Sequence, residues 1–334
     1  MKIAHTLIPG AHKSGLYETT LEIISAEISA GHDSRAVDPL YGMEGGDRGV
    51  PFTSRLWMAK ADILVNHSGI GRSHEGLAPV VAMMHGSPKY CFAMEHYHGV
   101  DMWKKVMEMV TLDYLSAYVA YPQDMAGWQL LIPSEKLFEV RPCVDLAFWT
   151  PVGPEWDYSG EHTNIVITDR WRPTKDSFGL LAGFSRFAKN HPNAKLHIYG
   201  APDPCIGPLA SILNKFKTRG ILGEVKGDVS AEDLRTIYRA ADVVMTPVYG
   251  VARTIREAMA CGCPVLMGQQ GGYGQTEVDT ENADAIAYGL HAVLDHNTRA
   301  SQRTQARKQA ETLFSPRDTM NGLQAVYERV LKGL

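Results

Sequence analysis

Short apolar runs alternate with helix-length amphipathic segments along the whole chain, the pattern of βαβ units and parallel sheets. Lys2–Ile8 predicts a first strand, followed by a Gly-containing turn and a helix over about Tyr17–Ala30. Ile63–Asn66, Val80–Met84 and Ala117–Ala120 predict further strands. The periodicity then fades through FEVRPCVDLAFWTPVGPEWDYSGEHT, a Pro-, Trp- and Gly-rich stretch that reads as an interdomain linker. A second series follows, with strands over Asn164–Thr168, Lys195–Tyr199, Leu222–Val225, Val243–Thr246 and Pro264–Met267. Helices are expected over about Asp176–Asn190, Ala231–Ala240 and Thr254–Cys261, and three more helical segments close the chain, the last near Arg317–Leu331. No fixed short repeat or low-complexity tract interrupts this order. The expectation is an α/β protein with two facing, Rossmann-like, doubly wound domains. In such sheets ligands bind at the carboxyl ends of the strands, where the strand order reverses.

Composition is compatible with that. A chain of 334 residues with 45% hydrophobic and 21% charged positions has the size and apolar content for two soluble domains. No apolar stretch reaches the ~18 residues of a membrane span. MKIAHTLIPG runs straight into the first strand without the apolar core of a secretion signal, so a cytoplasmic protein is expected. The five cysteines, 91, 143, 205, 261 and 263, form no paired framework and read as structural thiols.

Charge bears on the partners. Residues 1–150 hold 12 Lys+Arg against 17 Asp+Glu, and the remainder 21 against 20, so the halves carry −5 and +1. Neither has the basic excess of a protein that grips nucleic acid by its phosphates.

Chemistry concentrates in the second half. RWRPTK, residues 170–175, directly follows the strand NIVIT and precedes a helix, so Arg170 and Lys175 share a loop at a strand's carboxyl end. There two cations can clamp a diphosphate, Arg bidentately and Lys as a compact charge. Spacing alone equally allows two solvated loop cations. Further on, the loop Tyr249–Thr254 delivers backbone N–H groups to a helix start that suits phosphate oxygens, and Arg253 adds a cation. Glu257 falls about one turn into that helix. A carboxylate there can accept hydrogen bonds from ribose hydroxyls, or simply stabilise the helix end.

These segments together resemble the donor domain of retaining GT-B glycosyltransferases, glycosyltransferase family 4 in particular. RWRPTK is similar to the family's Arg–x–x–Pro–x–Lys element, KNHPNAKLHIYG to the helix end and strand after it, and LRTIYRAADVVMTPV to the segment before the nucleotide loop. GVARTIREAMACGCPV resembles the helix carrying the Glu-Ala-Met-Ala-Cys-Gly-x-Pro-Val signature. FSPRDTMNGLQAVYERVL resembles the closing helices. The resemblance is strong over about residues 140–334 and weak before. It implies an acceptor-side domain over 1–150, a donor domain over 151–315 and a C-terminal helix, 316–334, crossing back to the first domain. It also implies a nucleoside diphosphate sugar as donor, a UDP-sugar first among candidates, with no cofactor and no metal.

Position by position, the resemblance assigns Arg170 and Lys175 to the donor diphosphate and Glu257 to the ribose. Val225–Asp228 would face the base, and the loop around Tyr249, Gly250, Arg253 and Thr254 the phosphates. Gly271 and Gly272 would let the chain approach the donor closely. In the first half Ser14–Gly15 stands at the family's Gly-Gly turn, Cys143 replaces a usual linker Gly, and His85 in MMHGSP takes the place of a His that faces the donor sugar. His96, Tyr97 and His98 form a further cluster without a third convincing metal ligand.

Two departures stand out. The family's two glutamates are separated by seven residues; Glu257 is the second, and Tyr249 occupies the place of the first. Asp176 replaces the Gly that usually follows the Lys. Two rival readings therefore accompany glycosyl transfer: an acceptor-independent sugar-nucleotide enzyme, epimerase or hydrolase, and a catalytically weak sugar-nucleotide-binding partner subunit. The acceptor is open between a saccharide, a lipid-linked saccharide, a small molecule and, with the least support from the charge count, a modified DNA base.

Overall fold

The computed structural model describes residues 1–6, 15–37, 45–67, 76–86, 110–111, 114–169, 175, 177–200, 207–248, 252–269, 276–295 and 297–333. They form two compact units, Met1–Asp145 with Phe314–Leu334, and Leu146–Leu313. Each is built on its own α/β sheet.

The first unit runs β1 (Lys2–Thr6), α1 (Gly15–Ser29), β2 (Asp33–Val37), β3 (Gly45–Asp47), β4 (Val50–Thr53), α2 (Arg55–Met58), β5 (Ile63–His67), β6 (Val80–Met84), β7 (Leu115–Ala120), α3 (Met125–Trp128) and β8 (Leu137–Glu139). The strand order is β3-β4-β2-β1-β5-β6-β7-β8, parallel except for the β3–β4 pair. Both faces are covered, which explains why VVAMM reads as an unbroken apolar run. Val81 and Met83 pack on the side that includes Leu323 and Tyr327, while Val80, Ala82 and Met84 pack with Trp128.

In the second unit the order of elements is β9 (Thr163–Ile167), α4 (Phe178–Phe187), β10 (Ala194–Tyr199), α5 (Gly207–Thr218), β11 (Leu222–Lys226), α6 (Ala231–Ala240), β12 (Val243–Met245), α7 (Arg253–Ala260), β13 (Val265–Gly268), β14 (Thr276–Val278), α8 (Ala283–Val293) and α9 (Arg299–Leu313). Its six strands are all parallel, in the order β11-β10-β9-β12-β13-β14. Local chemistry sets the helix starts. Ser230 accepts the Asp233 N–H at 3.0 Å to begin α6, and Asn282 accepts those of Asp284 and Ala285 at 3.0 and 3.2 Å to begin α8. Helices α4 and α8 approach closely because Gly183 has no side chain: a Cβ there would lie 2.3 Å from Ile286.

The expected linker is not a free tether. The division falls between Asp145 and Leu146, and the residues after it are tied into the second unit. Arg307 donates to the carbonyls of Trp149 and Ala260 at 2.8 and 2.7 Å, and Arg239 to those of Thr150 and Pro154 at 2.7 and 3.1 Å. The last helix, α10 (Pro316–Leu331), begins at Ser315 with Pro316 in its first turn and belongs to the first unit, where Thr319 donates to the Arg141 carbonyl at 2.8 Å.

Candidate functional site

The strand order of the second sheet reverses between β9 and β12, so the crevice at their carboxyl ends is the topological switch point. The residues just past these two ends meet there. Asp169, 1% exposed, follows β9, and Thr246, fully buried, follows β12. The Thr246 hydroxyl donates to Asp169 Oδ2 at 2.5 Å, and the Val248 N–H donates to Thr246 Oγ1 at 3.3 Å. Oδ1 of the same carboxylate pairs with the Lys175 ammonium. That side chain is 25% exposed, so it is anchored at one side and can offer its remaining N–H groups outward.

Helix α7 starts at the same rim, because it follows β12. Ala252 stands at the cap position, extended at φ −53° and ψ 147°. Where Ser, Thr, Asp or Asn would answer first-turn N–H groups with a side-chain oxygen, alanine has none. Arg253 and Glu257, one turn apart, form an ion pair whose carboxylate is 2% exposed. Below them lies Tyr238 of α6, wholly buried, its hydroxyl 3.0 Å from Thr168 Oγ1. Burial and then the Glu257 carboxylate push this phenol well up, Asp169 adds to the effect, and the Thr168 hydrogen bond and Arg253 offset part of it. Tyr238 therefore stays a neutral hydroxyl among charged groups.

Val225, 40% exposed, lies on the edge strand β11, two strands and hence about 10 Å from β9. Beside it Glu224 accepts from the Tyr199 hydroxyl at 2.6 Å and from Trp156 Nε1 at 2.9 Å, and Lys226 lies 4.3 Å from the Trp156 ring centre. At its far end α7 closes through Gly262, at φ +72°, a left-handed position that glycine occupies at little cost. Cys261 and Cys263 flank it, free and buried. Burial pushes the Cys263 thiol up to about 12, which leaves it unreactive.

In the first unit Gly15 opens α1, Cys143 is buried in the core, and His85 follows β6 with its Nε2 2.9 Å from His67 Nδ1. Arg170, Asp176, Tyr249, Gly250, Gly271, Gly272, Ser14, His96, Tyr97, His98, Cys91 and Cys205 lie outside the described residues. Of the residues expected in the donor site, the structure thus brings Lys175, Arg253, Thr254 and Glu257 to one rim. Asp169, Thr246 and Tyr238 were missed. Tyr238 and Thr246 lie in the segment LRTIYRAADVVMTPV but had no role assigned, and only the pairing of β9 with β12 brings Thr246 to Asp169.

A parallel sheet with a cation, a helix start and a buried glutamate gathered at its switch point can be compared with known proteins. Residues 163–296, less than half of the chain, match the family described as Glycosyl transferases group 1, and the chain has a GT-B fold. Mannosylfructose-phosphate synthase of Agrobacterium fabrum is 36% identical over 123 residues, 34% of this chain and 25% of that protein's length. The GDP-mannose-dependent monoacylated alpha-(1-6)-phosphatidylinositol monomannoside mannosyltransferase of Corynebacterium glutamicum is 26% identical over 289 residues, covering 78% of this chain and 72% of the relative. Among solved structures, sucrose-phosphate synthase of Thermosynechococcus elongatus superposes with a TM-score of 0.77 at 15% identity, and Anabaena HepE in complex with UDP-glucose with 0.69 at 16%. Each match covers both chains completely. Among the described residues no helix is long and apolar enough to cross a membrane.

Proposed function

We propose that this protein transfers a sugar from a nucleoside diphosphate sugar to an acceptor hydroxyl with retention at the anomeric carbon, as a member of glycosyltransferase family 4. The observation that carries the reading is the switch-point cluster: Lys175 anchored by Asp169, which Thr246 holds, at the rim where α7 starts behind Ala252. Lys175 and the helix N–H groups stabilise the charge that grows on the departing diphosphate, and Arg170 joins them by resemblance. Glu257, fixed by Arg253, holds the ribose, and the segment from Val225 faces the base. Because these groups neutralise the leaving diphosphate, no metal is required. The names of the relatives, a GDP-mannose-dependent mannosyltransferase among them, and a structure in complex with UDP-glucose support a UDP- or GDP-sugar donor. The first unit holds the acceptor.

The test is product analysis with and without acceptor. Acceptor-dependent release of nucleoside diphosphate, undiminished by a chelator, is expected. Complete conversion of the donor in the absence of acceptor would instead identify an epimerase or hydrolase.

A further inference from the structure

A line of hydrogen-bonded side chains runs through the first unit and ends on His85. Glu27 of α1, fully buried, accepts from the Tyr327 hydroxyl at 2.6 Å on one oxygen. Its other oxygen takes the Ser34 hydroxyl at 2.5 Å and meets His5 Nε2 at 2.6 Å. His5 Nδ1 lies 2.8 Å from His67 Nε2, His67 Nδ1 lies 2.9 Å from His85 Nε2, and His85 Nδ1 lies 3.4 Å from the Tyr121 hydroxyl. His5 and His67 are fully buried, whereas His85 is half-buried. The rings form a file, each nitrogen facing the next member, and among the described residues no three His, Cys, Asp or Glu side chains are placed to hold a metal.

The file follows from the sheet. β1 and β5 flank the order reversal of the first sheet, and His5 and His67 sit at their carboxyl ends, with His85 just beyond β6. An apolar core does not need three imidazoles and a carboxylate, and burying them is costly unless every one is paired. An imidazole with one nitrogen protonated and one free can accept a proton on one side and release one on the other.

We propose that Glu27, His5 and His67 are a buried proton relay serving His85, so that a proton received at His85 Nδ1 comes to rest on His5 against the Glu27 carboxylate. The catalytic purpose rests on the glycosyl-transfer reading. As an acceptor oxygen on the first unit attacks the anomeric carbon, its O–H proton goes to His85 Nδ1 and its electron pair forms the new C–O bond. The electron pair of the broken bond leaves with the diphosphate. The His85 Nε2 proton then moves to His67 Nδ1, and the His67 Nε2 proton to His5 Nδ1. In this account His85 is the catalytic residue, and the other three are positioning residues.

The electrostatics agree with that direction. Burial holds the His67 imidazolium well below the usual range, and the charges of His5 and His85 lower it further, so the middle ring conducts a proton without keeping it. Burial alone would raise the Glu27 carboxyl. A charge on His5 and the hydrogen bonds from His5, Ser34 and Tyr327 outweigh it, so a proton that reaches His5 meets an ionised carboxylate. Among the described residues, the titratable groups that hydrogen-bond along the line are Glu27 from α1, His5 from β1, His67 from β5, His85 and Tyr121 after β6 and β7, and Tyr327 from α10. The last is a phenol kept neutral by burial and by Glu27. Asp124, three residues beyond Tyr121, is pushed up to about 6 by burial, so a bulk pH profile alone would mix its titration with that of the histidines.

The experiment therefore reads the rings themselves, by nitrogen NMR of the full chain labelled in histidine, without donor. In the wild type the His5 ring signals should follow His85 through one titration. Glu27→Gln should lower the apparent pKa of His85 by about one unit, tenfold in proton affinity. His67→Asn, which keeps a polar group but no pair of ring nitrogens, should uncouple His5 from His85. In donor turnover the acid limb of kcat should shift with Glu27→Gln while the donor KM stays within about two-fold. Uncoupled titrations in the wild type, or a His85 pKa unmoved in both folded variants, would overturn the relay. Coupled rings with an unmoved kcat profile would overturn its service to transfer. If the wild type turns over no donor, the glycosyl-transfer reading fails, and the NMR result still decides the relay.

Discussion

Lys175→Met separates two roles that the geometry gives one side chain. Lys175 neutralises the buried Asp169 carboxylate, and on the proposed reading it also grips the donor diphosphate. Methionine keeps the apolar stem and removes the charge. A hydrogen bond between charged groups contributes about 1.5–3 kcal/mol, so nucleoside diphosphate affinity should fall roughly 10- to 100-fold. Stability should fall too. Stripping one partner from a fully buried pair costs about 3–5 kcal/mol, but the Lys175 side chain is a quarter exposed, and water reduces this to about 1–2 kcal/mol. For a domain of this size that is a loss of about 2–8 °C in Tm. The double variant Lys175→Met with Asp169→Asn removes both charges and retains an acceptor for Thr246. It should recover most of the stability and none of the affinity. Calorimetric titration with the nucleotide and thermal unfolding measure both. An affinity within two-fold of wild type in Lys175→Met, or one restored in the double variant, would mean that Lys175 is only the counter-ion of Asp169.

Two further outcomes follow from the same structure. If, as proposed, the carboxylate addresses the ribose, Glu257→Gln should weaken nucleoside diphosphate binding about tenfold while binding of inorganic pyrophosphate stays within two-fold; equal weakening of both would move Glu257 to the phosphates. His197 of the second unit, 2% exposed, is held to about 4 by burial, partly offset by the Glu224 carboxylate and reinforced by His162 and Lys195. A folded pKa below the unfolded value means that the unfolded chain binds the proton more readily. Its stability contribution is complete above about pH 6.5 and is lost as pH falls towards 4, reaching about 2 kcal/mol at pH 5. Urea unfolding of the second unit's transition at about pH 7.5 and pH 5 should show that loss in the wild type and a smaller one in His197→Asn. Equal slopes in the two proteins would count against it. The first unit is the poorer place to look, since Asp124, raised to about 6, changes stability in the opposite sense.

Much of the fold was legible in the sequence because buried parallel strands leave apolar runs, as in VVAMM, AYVA and NIVIT. The strand Asp33–Val37 left no such run: it opens with Asp, Ser and Arg, and its Ser34 points to Glu27. The site was legible where a motif carries it. The loop ending in Lys175 and the helix bearing Arg253 and Glu257 were expected from their order and resemblance. What stayed hidden is what parallel pairing creates. Val244 pairs with Val166, and this register brings Thr246 to Asp169, 77 positions away. Likewise His5 pairs with Val65 and His67 with Met83, which sets His5, His67 and His85 in one file although about 80 positions separate the ends. A linear reading has no access to strand register, so neither cluster could be seen in it.

On the proposed reading the crevice at the ends of β9 and β12 binds the nucleotide of a sugar donor. Calorimetric titration of the full chain with UDP, GDP and ADP in turn tests it most directly. Saturable binding of one of them is expected at one site per chain, with the corresponding nucleotide sugar competing for it. Absence of binding by all three, or binding that persists unchanged when Lys175 and Glu257 are both replaced, would contradict it.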